Sequence, residues 1–152
     1  MKTVLSAIAI ASSALAVSLP ATAAQMRDVA FDSEGDRLVG TLYLPDDYEP
    51  GDELPAAIVT GAWTTVKEQM PATYAEQLAD RGYAALTFDF RNWGESGGDR
   101  RQLENPSLKT EDIQNAARFL ATLPEVDDTR IGGVGICASA GYMAAAVADT
   151  LE

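Results

Sequence analysis

Runs of apolar residues along the first part of the chain predict short strands. Residues 26–32 and 38–44 alternate between apolar and polar positions, which is typical of strands with one buried face. The turn between them contains Gly35, so we expect an antiparallel hairpin. Residues 56–60 form a continuous apolar run instead, which is typical of a strand buried on both faces.

From this run onward, helical and buried-strand patterns alternate. The predicted segments, in chain order, are the helix 69–82, the strand 83–90, the helix 107–123, the strand 131–136 and the helix 142–148. This order predicts an α/β fold with a mostly parallel sheet, helices on both faces and an N-terminal antiparallel hairpin. In a parallel sheet the carboxyl ends of the strands lie at the same end of the sheet, where functional residues gather. We therefore expect the loops that follow three of these strands to lie close together: residues 61–63, residues 91–98 and the turn at residue 137.

The first 23 residues have the pattern of a secretory signal peptide. Lys2 supplies a positive charge, residues 4–19 are apolar or small, and residues 21–23 form an A-x-A cleavage site. We therefore expect residues 1–23 to be removed and residues 24–152 to form one exported domain, periplasmic or secreted and free of the membrane once processed. An uncleaved anchor or an ordinary buried helix is the alternative.

The charge and the residue types of the chain argue against several kinds of partner, metal and cofactor. The formal net charge of −12 repels nucleic acid and anionic membranes, so we expect neither as a partner. The chain has no histidine and one cysteine, its acidic residues lack the spacing of a calcium loop, and the glycines at 94–98 lack the lysine of a phosphate-binding loop. The sequence therefore predicts no metal and no cofactor. Cys137 cannot form an internal disulfide and is free, paired between chains, or catalytic.

Residues 130–141, Arg-Ile-Gly-Gly-Val-Gly-Ile-Cys-Ala-Ser-Ala-Gly, predict a strand, a sharp turn and the start of a helix. This arrangement is a nucleophile elbow in which Cys137 replaces the usual serine, and its tight turn requires small residues such as Gly135, Ser139 and Gly141. A helix N-terminus favours an anion and therefore a reactive thiolate. The alternative for Cys137 is a small, buried and inert side chain.

Other polar and aromatic residues allow two interpretations each. Ser139 is a weaker candidate for the nucleophile, because it lies within the first helical turn. Trp63 and Trp93 line a pocket mouth or serve only in packing.

Asp89 and Arg91 form a catalytic pair or, as the main interpretation, a structural ion pair or loop anchor at a strand end. Glu68 is an acidic residue that acts near the nucleophile or, as the main interpretation, a charge in the first turn of a helix. The main interpretation of Ser96 is a turn residue or helix cap.

Three segments of the mature chain resemble the dienelactone-hydrolase-like branch of the α/β-hydrolase superfamily. They are Val66-Lys-Glu-Gln69, the segment 86–98 with its Asp-x-Arg-x-x-Gly-x-Ser pattern at residues 89–96, and Arg130 to Cys137. The resemblance covers the N-terminal half of that fold, so it implies that residues 24–152 are a partial α/β-hydrolase domain, truncated after the nucleophile helix.

The resemblance also implies roles for four residues. Cys137 matches the nucleophile, which is serine in most members and cysteine in dienelactone hydrolases. The backbone N–H of Ala138 matches one donor of the oxyanion hole, and Ala62 or Trp63 would supply the other. The implied substrates are small molecules with an ester, lactone or thioester bond.

The acid and the histidine of the family's triad follow the elbow, and this chain has no histidine. We therefore expect an incomplete hydrolase that is nearly inactive in isolation, and that could be completed by a second polypeptide. The alternative is a non-catalytic exported module that binds a small ligand, or a partner chain at its exposed sheet edge. The elbow strand would form that edge.

Overall fold

A computed structural model describes residues 24–148, so the predicted signal peptide lies outside the described residues. The elements in chain order are β1 (Gln25–Ser33), β2 (Asp36–Leu44), β3 (Leu54–Thr60), α1 (Met70–Ala79), β4 (Ala84–Phe88), α2 (Pro106–Leu120), β5 (Val126–Gly135) and α3 (Ala138–Ala148). Within this range, no helix combines the length and the apolar character that crossing a bilayer requires.

The five strands form one sheet in the order β1-β2-β4-β3-β5. β4, β3 and β5 run parallel to one another, and β2 pairs antiparallel with both β1 and β4. The predicted hairpin is confirmed, since Glu34 and Gly35 both have positive φ (54° and 89°), as its tight two-residue turn requires. Because β3, β4 and β5 are parallel, their carboxyl ends lie at the same end of the sheet. β5 is the last strand in the order and therefore forms one edge of the described sheet.

Helices cover both faces of the sheet, as predicted. α2 and α3 pack on one face, where the largest fully buried side chains include Leu42, Leu86 and Leu120. α1 packs on the other face through Ala72, Ala75 and Ala79. Burial of each large aliphatic side chain stabilises the fold by about 2 kcal/mol.

The observed bounds differ from the predicted ones mainly at the ends of elements. β4 ends at Phe88, and the buried Asp89 and Phe90 that follow belong to the next loop. α2 begins at Pro106 because the Asn105 side chain accepts hydrogen bonds from the backbone N–H groups of Ser107 (3.0 Å) and Leu108 (3.2 Å). α3 begins at Ala138, directly after the cysteine.

Candidate active site

Cys137 lies at the junction of β5 and α3, with its side chain exposed to solvent. Its φ angle is 59°, a left-handed conformation that non-glycine residues rarely adopt and that marks a strained strand-to-helix turn. The N–H of the preceding residue, Ile136, donates a 3.0 Å hydrogen bond to the carbonyl oxygen of Thr60. The elbow is therefore fixed against the end of β3, and the exposure of the thiol does not fit the alternative of a buried, inert cysteine.

The small residues around the elbow differ in how strictly the turn requires them. A Cβ atom on Gly135 would lie 2.4 Å from the carbonyl oxygen of Ser139 and 2.7 Å from the Cα atom of Ala140. Such distances exclude any side chain, because the neighbouring atoms belong to the backbone. A Cβ atom on Gly141 would meet nothing within 4 Å. The turn therefore requires a glycine at position 135, as the sequence predicted, whereas the space around Gly141 would admit a side chain.

Ser139 is a structural residue of the elbow. Its side chain is 2% exposed, and its hydroxyl group donates a hydrogen bond to the carbonyl oxygen of Gly61 in the loop after β3. A hydroxyl so placed cannot reach a substrate from solvent, which removes Ser139 as a candidate nucleophile. The bond joins the first turn of α3 to the loop expected to supply an oxyanion-hole donor.

The residues expected around an oxyanion lie next to this junction. Ala138 is the first residue of α3, and the N–H groups of a first helical turn have no partner within the helix. Ala62 and Trp63 directly follow Gly61, and the carbonyl oxygen of Ala62 accepts hydrogen bonds from the N–H (3.1 Å) and hydroxyl (2.7 Å) of Thr65. The side chain of Trp63 is 59% exposed.

Asp89 joins the loops that follow β3 and β4. This carboxylate is 1% exposed and accepts hydrogen bonds from the backbone N–H groups of Lys67 (2.8 Å) and Glu95 (2.9 Å). The buried Lys67 ammonium lies 3.5 Å from Asp89 and donates hydrogen bonds to the carboxylates of Glu68 and Glu95. Burial disfavours charge on Lys67, but these hydrogen bonds raise its pKa above the usual value. The interpretation of Asp89 as a loop anchor agrees with these contacts.

The carboxylates of Glu68, Asp89 and Glu95 come within 4.8 Å of one another, close enough to suggest a cation site. All three contact the Lys67 ammonium, which supplies the positive charge that a metal ion would otherwise provide. The cluster is therefore a network of ion pairs, and Glu68 belongs to it through its bond to Lys67.

Arg91 anchors the same loop to α2 and β1. Its Nε atom and backbone N–H donate to the Asp112 carboxylate at 2.7 and 3.0 Å, and the Ser33 hydroxyl donates to Asp112 at 2.7 Å. Burial disfavours charge on Arg91, but its hydrogen bonds to Asp112 raise its pKa. Asp89 and Arg91 thus have separate structural partners.

Ser96 and Trp93 also have structural roles in this loop. The Ser96 hydroxyl donates to the carbonyl oxygen of Asp89 (2.6 Å) and accepts from the N–H of Val39 (2.9 Å). The indole N–H of Trp93 donates to the carbonyl oxygen of Leu103 at 3.1 Å, and its ring packs against Lys109. Trp93 is therefore a packing residue, whereas Trp63 remains on the exposed rim.

Sequence reasoning missed a second polar cluster, formed by Glu104, Lys109 and Tyr142. The Glu104 carboxylate accepts hydrogen bonds from the Lys109 ammonium and the Tyr142 hydroxyl, both at 2.7 Å. One signal was present: Lys109 lies on the buried face of α2, in register with Ile113 and Ala116. A charged residue at such a position predicts a buried partner.

Comparisons with known proteins identify chains and folds that this one resembles. PA2218 of Pseudomonas aeruginosa is 44% identical over 114 residues, which are 75% of this chain and 30% of PA2218. Its crystal structure superposes with a TM-score of 0.79 at 42% identity, covering 86% of this chain and 40% of that one. The thiohydrolase aneE of Aspergillus aculeatus is 35% identical over 106 residues, covering 70% of this chain and 32% of aneE.

A solved structure at low identity shows the same fold. The dienelactone hydrolase-like phosphotriesterase P91 from metagenomic libraries superposes with a TM-score of 0.66 at 21% identity, covering 82% of this chain and 54% of P91. This chain spans 30 to 37% of the length of the first curated relatives it matches.

The family assignment rests on almost the whole chain. The family model described as Esterase FrsA-like matches residues 3–148, and the mixed sheet flanked by helices has the expected α/β-hydrolase arrangement. The chain therefore belongs to the FrsA-like esterase family, and residues 24–148 have the arrangement of the α/β-hydrolase fold from β1 to α3.

Proposed function

We propose that this chain carries the nucleophile and oxyanion-binding part of a hydrolase that acts on ester, lactone or thioester bonds of small molecules. The observation that carries the proposal is the placement of Cys137, exposed and with a φ angle of 59° at the start of α3. Membership of an esterase family and the similarity to a thiohydrolase support the class of bond.

In the proposed reaction, the Cys137 thiolate attacks the carbonyl carbon of the substrate, a C–S bond forms and the carbonyl electrons move to oxygen. The oxyanion accepts hydrogen bonds from the N–H groups of Ala138 and of Ala62 or Trp63. Each such donor contributes about 3–4 kcal/mol to transition-state stabilisation. Collapse of the intermediate expels the leaving alkoxide or thiolate, which takes a proton from water, and leaves an acyl thioester on Cys137.

Release of the acyl group requires water to attack that thioester. No histidine is present to activate the water, and loss of the histidine from a serine-protease triad lowers turnover by roughly 10⁶-fold. A thiol ionises more readily than a hydroxyl and partly compensates in the first step. We therefore propose that the chain acylates in isolation and deacylates very slowly.

Mixing the purified chain with p-nitrophenyl acetate tests both steps. The expected result is a burst of about one p-nitrophenolate per chain, followed by almost no turnover. Mass spectrometry should place the acetyl group on Cys137, and Cys137→Ala should abolish the burst. Cys137→Ser, which keeps the size and loses the reactive thiol, should slow it strongly.

Ser107→Ala serves as a control, because Ser107 lies exposed in the first turn of α2 and outside the site. Equal bursts from the wild type and Cys137→Ala would reject the proposed nucleophile. Sustained rapid turnover would instead reject the proposed slow deacylation.

A second candidate function is a non-catalytic module that binds a partner chain along β5. Open grooves of about 420 and 570 Å³ flank this strand on its two faces. They are lined by apolar side chains that include Ile113 and Met143 on one face and Leu78 and Val134 on the other. Among the described residues, β5 pairs with β3 on one side and has no strand on its other side, and this open side between apolar grooves supports association through the edge.

Gly132 offers a direct test of edge association. It is exposed on β5, and a Cβ atom there would meet nothing within 4 Å, so Gly132→Lys should place a charge on the edge with little strain. Light scattering over a range of concentrations should show association of the wild type and monomers of Gly132→Lys. Identical molar masses for both proteins would reject the edge as an interface between copies of this chain.

We also propose that the protein is exported and processed after residue 23. The charge, apolar run and cleavage pattern of residues 1–23 support this proposal. Cell fractionation followed by N-terminal sequencing should find the protein outside the cytoplasm, beginning at Ala24 or Gln25. A cytoplasmic product that begins at Met1 would reject it.

A further inference from the structure

Trp63 lies on a closed turn in the loop that follows β3. The carbonyl oxygen of Ala62 accepts hydrogen bonds from the N–H (3.1 Å) and the hydroxyl group (2.7 Å) of Thr65, and Thr64 has a positive φ of 72°. The Trp63 side chain is 59% exposed, and within residues 24–148 its indole group makes no hydrogen bond and no ring contact. A large aromatic side chain is therefore carried into solvent by a turn that is itself fixed.

This turn is joined to the nucleophile elbow. The hydroxyl group of Ser139 donates a hydrogen bond to the carbonyl oxygen of Gly61. Trp63 follows Gly61 by two residues, and Cys137 precedes Ser139 by two residues. Because consecutive Cα atoms are about 3.8 Å apart, each of the two exposed residues has its Cα atom within about 8 Å of one end of this contact. The indole ring and the thiol therefore belong to the same rim of the molecule.

Exposed large apolar side chains are concentrated beside this rim. Residues 24–148 contain six of them, and three lie between the end of β3 and the second turn of α1: Trp63, Met70 (39% exposed) and Tyr74 (46% exposed). The start of α1 packs against the loop, since a Cβ atom on Gly61 would lie 2.8 Å from the Cγ atom of Pro71. Apolar groups that collect on one exposed surface mark a place where a ligand or partner binds.

We propose that Trp63 is a specificity-determining residue whose indole ring binds the apolar acyl group of the substrate while the carbonyl carbon lies at Cys137. The inference rests on the proposed function and names its substrate class, which is esters, lactones or thioesters with an apolar acyl group larger than acetyl. Such a group covers the exposed face of the ring, and removal of both apolar surfaces from water favours binding. An acetyl group is too small to gain this contact.

Alkylation of Cys137 measures the binding without acyl transfer, because the thiolate displaces iodide from the reagent and the chain has no other cysteine. N-hexyliodoacetamide carries an apolar chain that iodoacetamide lacks. Each rate constant is divided by that of glutathione with the same reagent, which removes the intrinsic difference in reactivity. The wild type should prefer the hexyl reagent by about tenfold, as burial of roughly two methylene groups would give. Trp63→Ala should lose most of this preference.

Matched variants separate the indole ring from its surroundings. Trp63→Ala keeps the backbone N–H that is a candidate oxyanion donor, so a change in the preference reports the side chain alone. Trp63→Phe keeps an aromatic face and should retain most of the preference. Met26→Ala removes a side chain of β1 that is 66% exposed and should retain all of it. Because these side chains are exposed, thermal unfolding should show the same melting temperature for every variant.

A wild type that does not prefer the hexyl reagent, or a preference that survives in Trp63→Ala, would overturn the inference. A preference that Met26→Ala loses to the same extent would overturn it as well. The p-nitrophenyl acetate burst distinguishes these failures from failure of the proposed function. A preference that depends on Trp63, without any burst, would reject acyl transfer and keep Trp63 as an apolar binding residue. A burst without such a preference would reject this inference alone.

Discussion

The hydroxyl group of Ser139 donates a hydrogen bond to the carbonyl oxygen of Gly61, 78 residues earlier in the chain. This bond joins the first turn of α3 to the loop after β3, the two segments that must hold a fixed distance if they are to share one oxyanion. The Ser139 side chain is accommodated at the turn because it is buried against that loop.

Ser139→Ala should lower the free energy of unfolding by about 1–2 kcal/mol, because the buried carbonyl of Gly61 loses its hydrogen-bond donor. It should also slow acylation of Cys137, since the loop is less firmly held. Urea unfolding and the p-nitrophenyl acetate burst check the two effects. Ser107→Ala is the matched control and should change neither quantity, and a Ser139 variant as stable as this control would contradict the prediction.

Gly135→Ala and Gly141→Ala should have opposite effects on stability. At Gly135 the added Cβ meets backbone atoms, so we expect a loss of about 2–3 kcal/mol and a distorted elbow. At Gly141 the space is open and the residue lies within α3, where alanine stabilises a helix by up to about 1 kcal/mol relative to glycine. Thermal unfolding of the two variants measures the difference, and equal melting temperatures would show that the turn tolerates a side chain.

Asp112→Asn should destabilise the fold far more than Glu111→Gln, although both residues bind Arg91. Asp112 is fully buried, and its loss leaves the buried guanidinium without its main counter-charge, at a cost of about 3–5 kcal/mol. Glu111 is 39% exposed, so its ion pair contributes less than about 1 kcal/mol. Urea denaturation at neutral pH compares them. A small effect of Asp112→Asn would mean that Ser33 and water satisfy Arg91.

The raised pKa of Tyr142 predicts a loss of stability at high pH. Its hydrogen bond to Glu104 is the main cause that raises the pKa from 10.0 to about 12. The folded protein therefore keeps this proton over a pH range in which the unfolded chain loses it. The contribution is complete below pH 10 and is lost as the pH rises to about 12.

Tyr142→Phe isolates this contribution. The stability advantage of the wild type over the variant should be constant below pH 10 and should decrease between about pH 10 and 12 in urea denaturation. Tyr74→Phe removes an exposed tyrosine of α1 and should follow the wild type throughout. A constant advantage of the wild type up to pH 12 would contradict the prediction.

The elements could be predicted because their signals are local. The alternation in β1 and β2, the apolar run of β3 and the helical spacing in α2 each report which face a segment buries. The elbow was predictable for the same reason, since a strand, a tight turn of small residues and a helix follow one another within twelve positions. The ends of helices and strands are harder to predict where a side-chain contact sets them. The start of α2 is one such case, because the hydrogen bonds of the Asn105 side chain fix it.

The sequence by itself determined the layered α/β arrangement and the place of Cys137 at a strand-to-helix turn, because periodicity and turn chemistry act between near neighbours. The tertiary structure alone decided the strand order, the bond between Ser139 and Gly61, and the cluster of Glu104, Lys109 and Tyr142. These contacts join residues far apart in the chain. Which residues meet in these contacts depends on how the folded chain brings distant segments together, and a pattern of neighbouring residues does not contain that information.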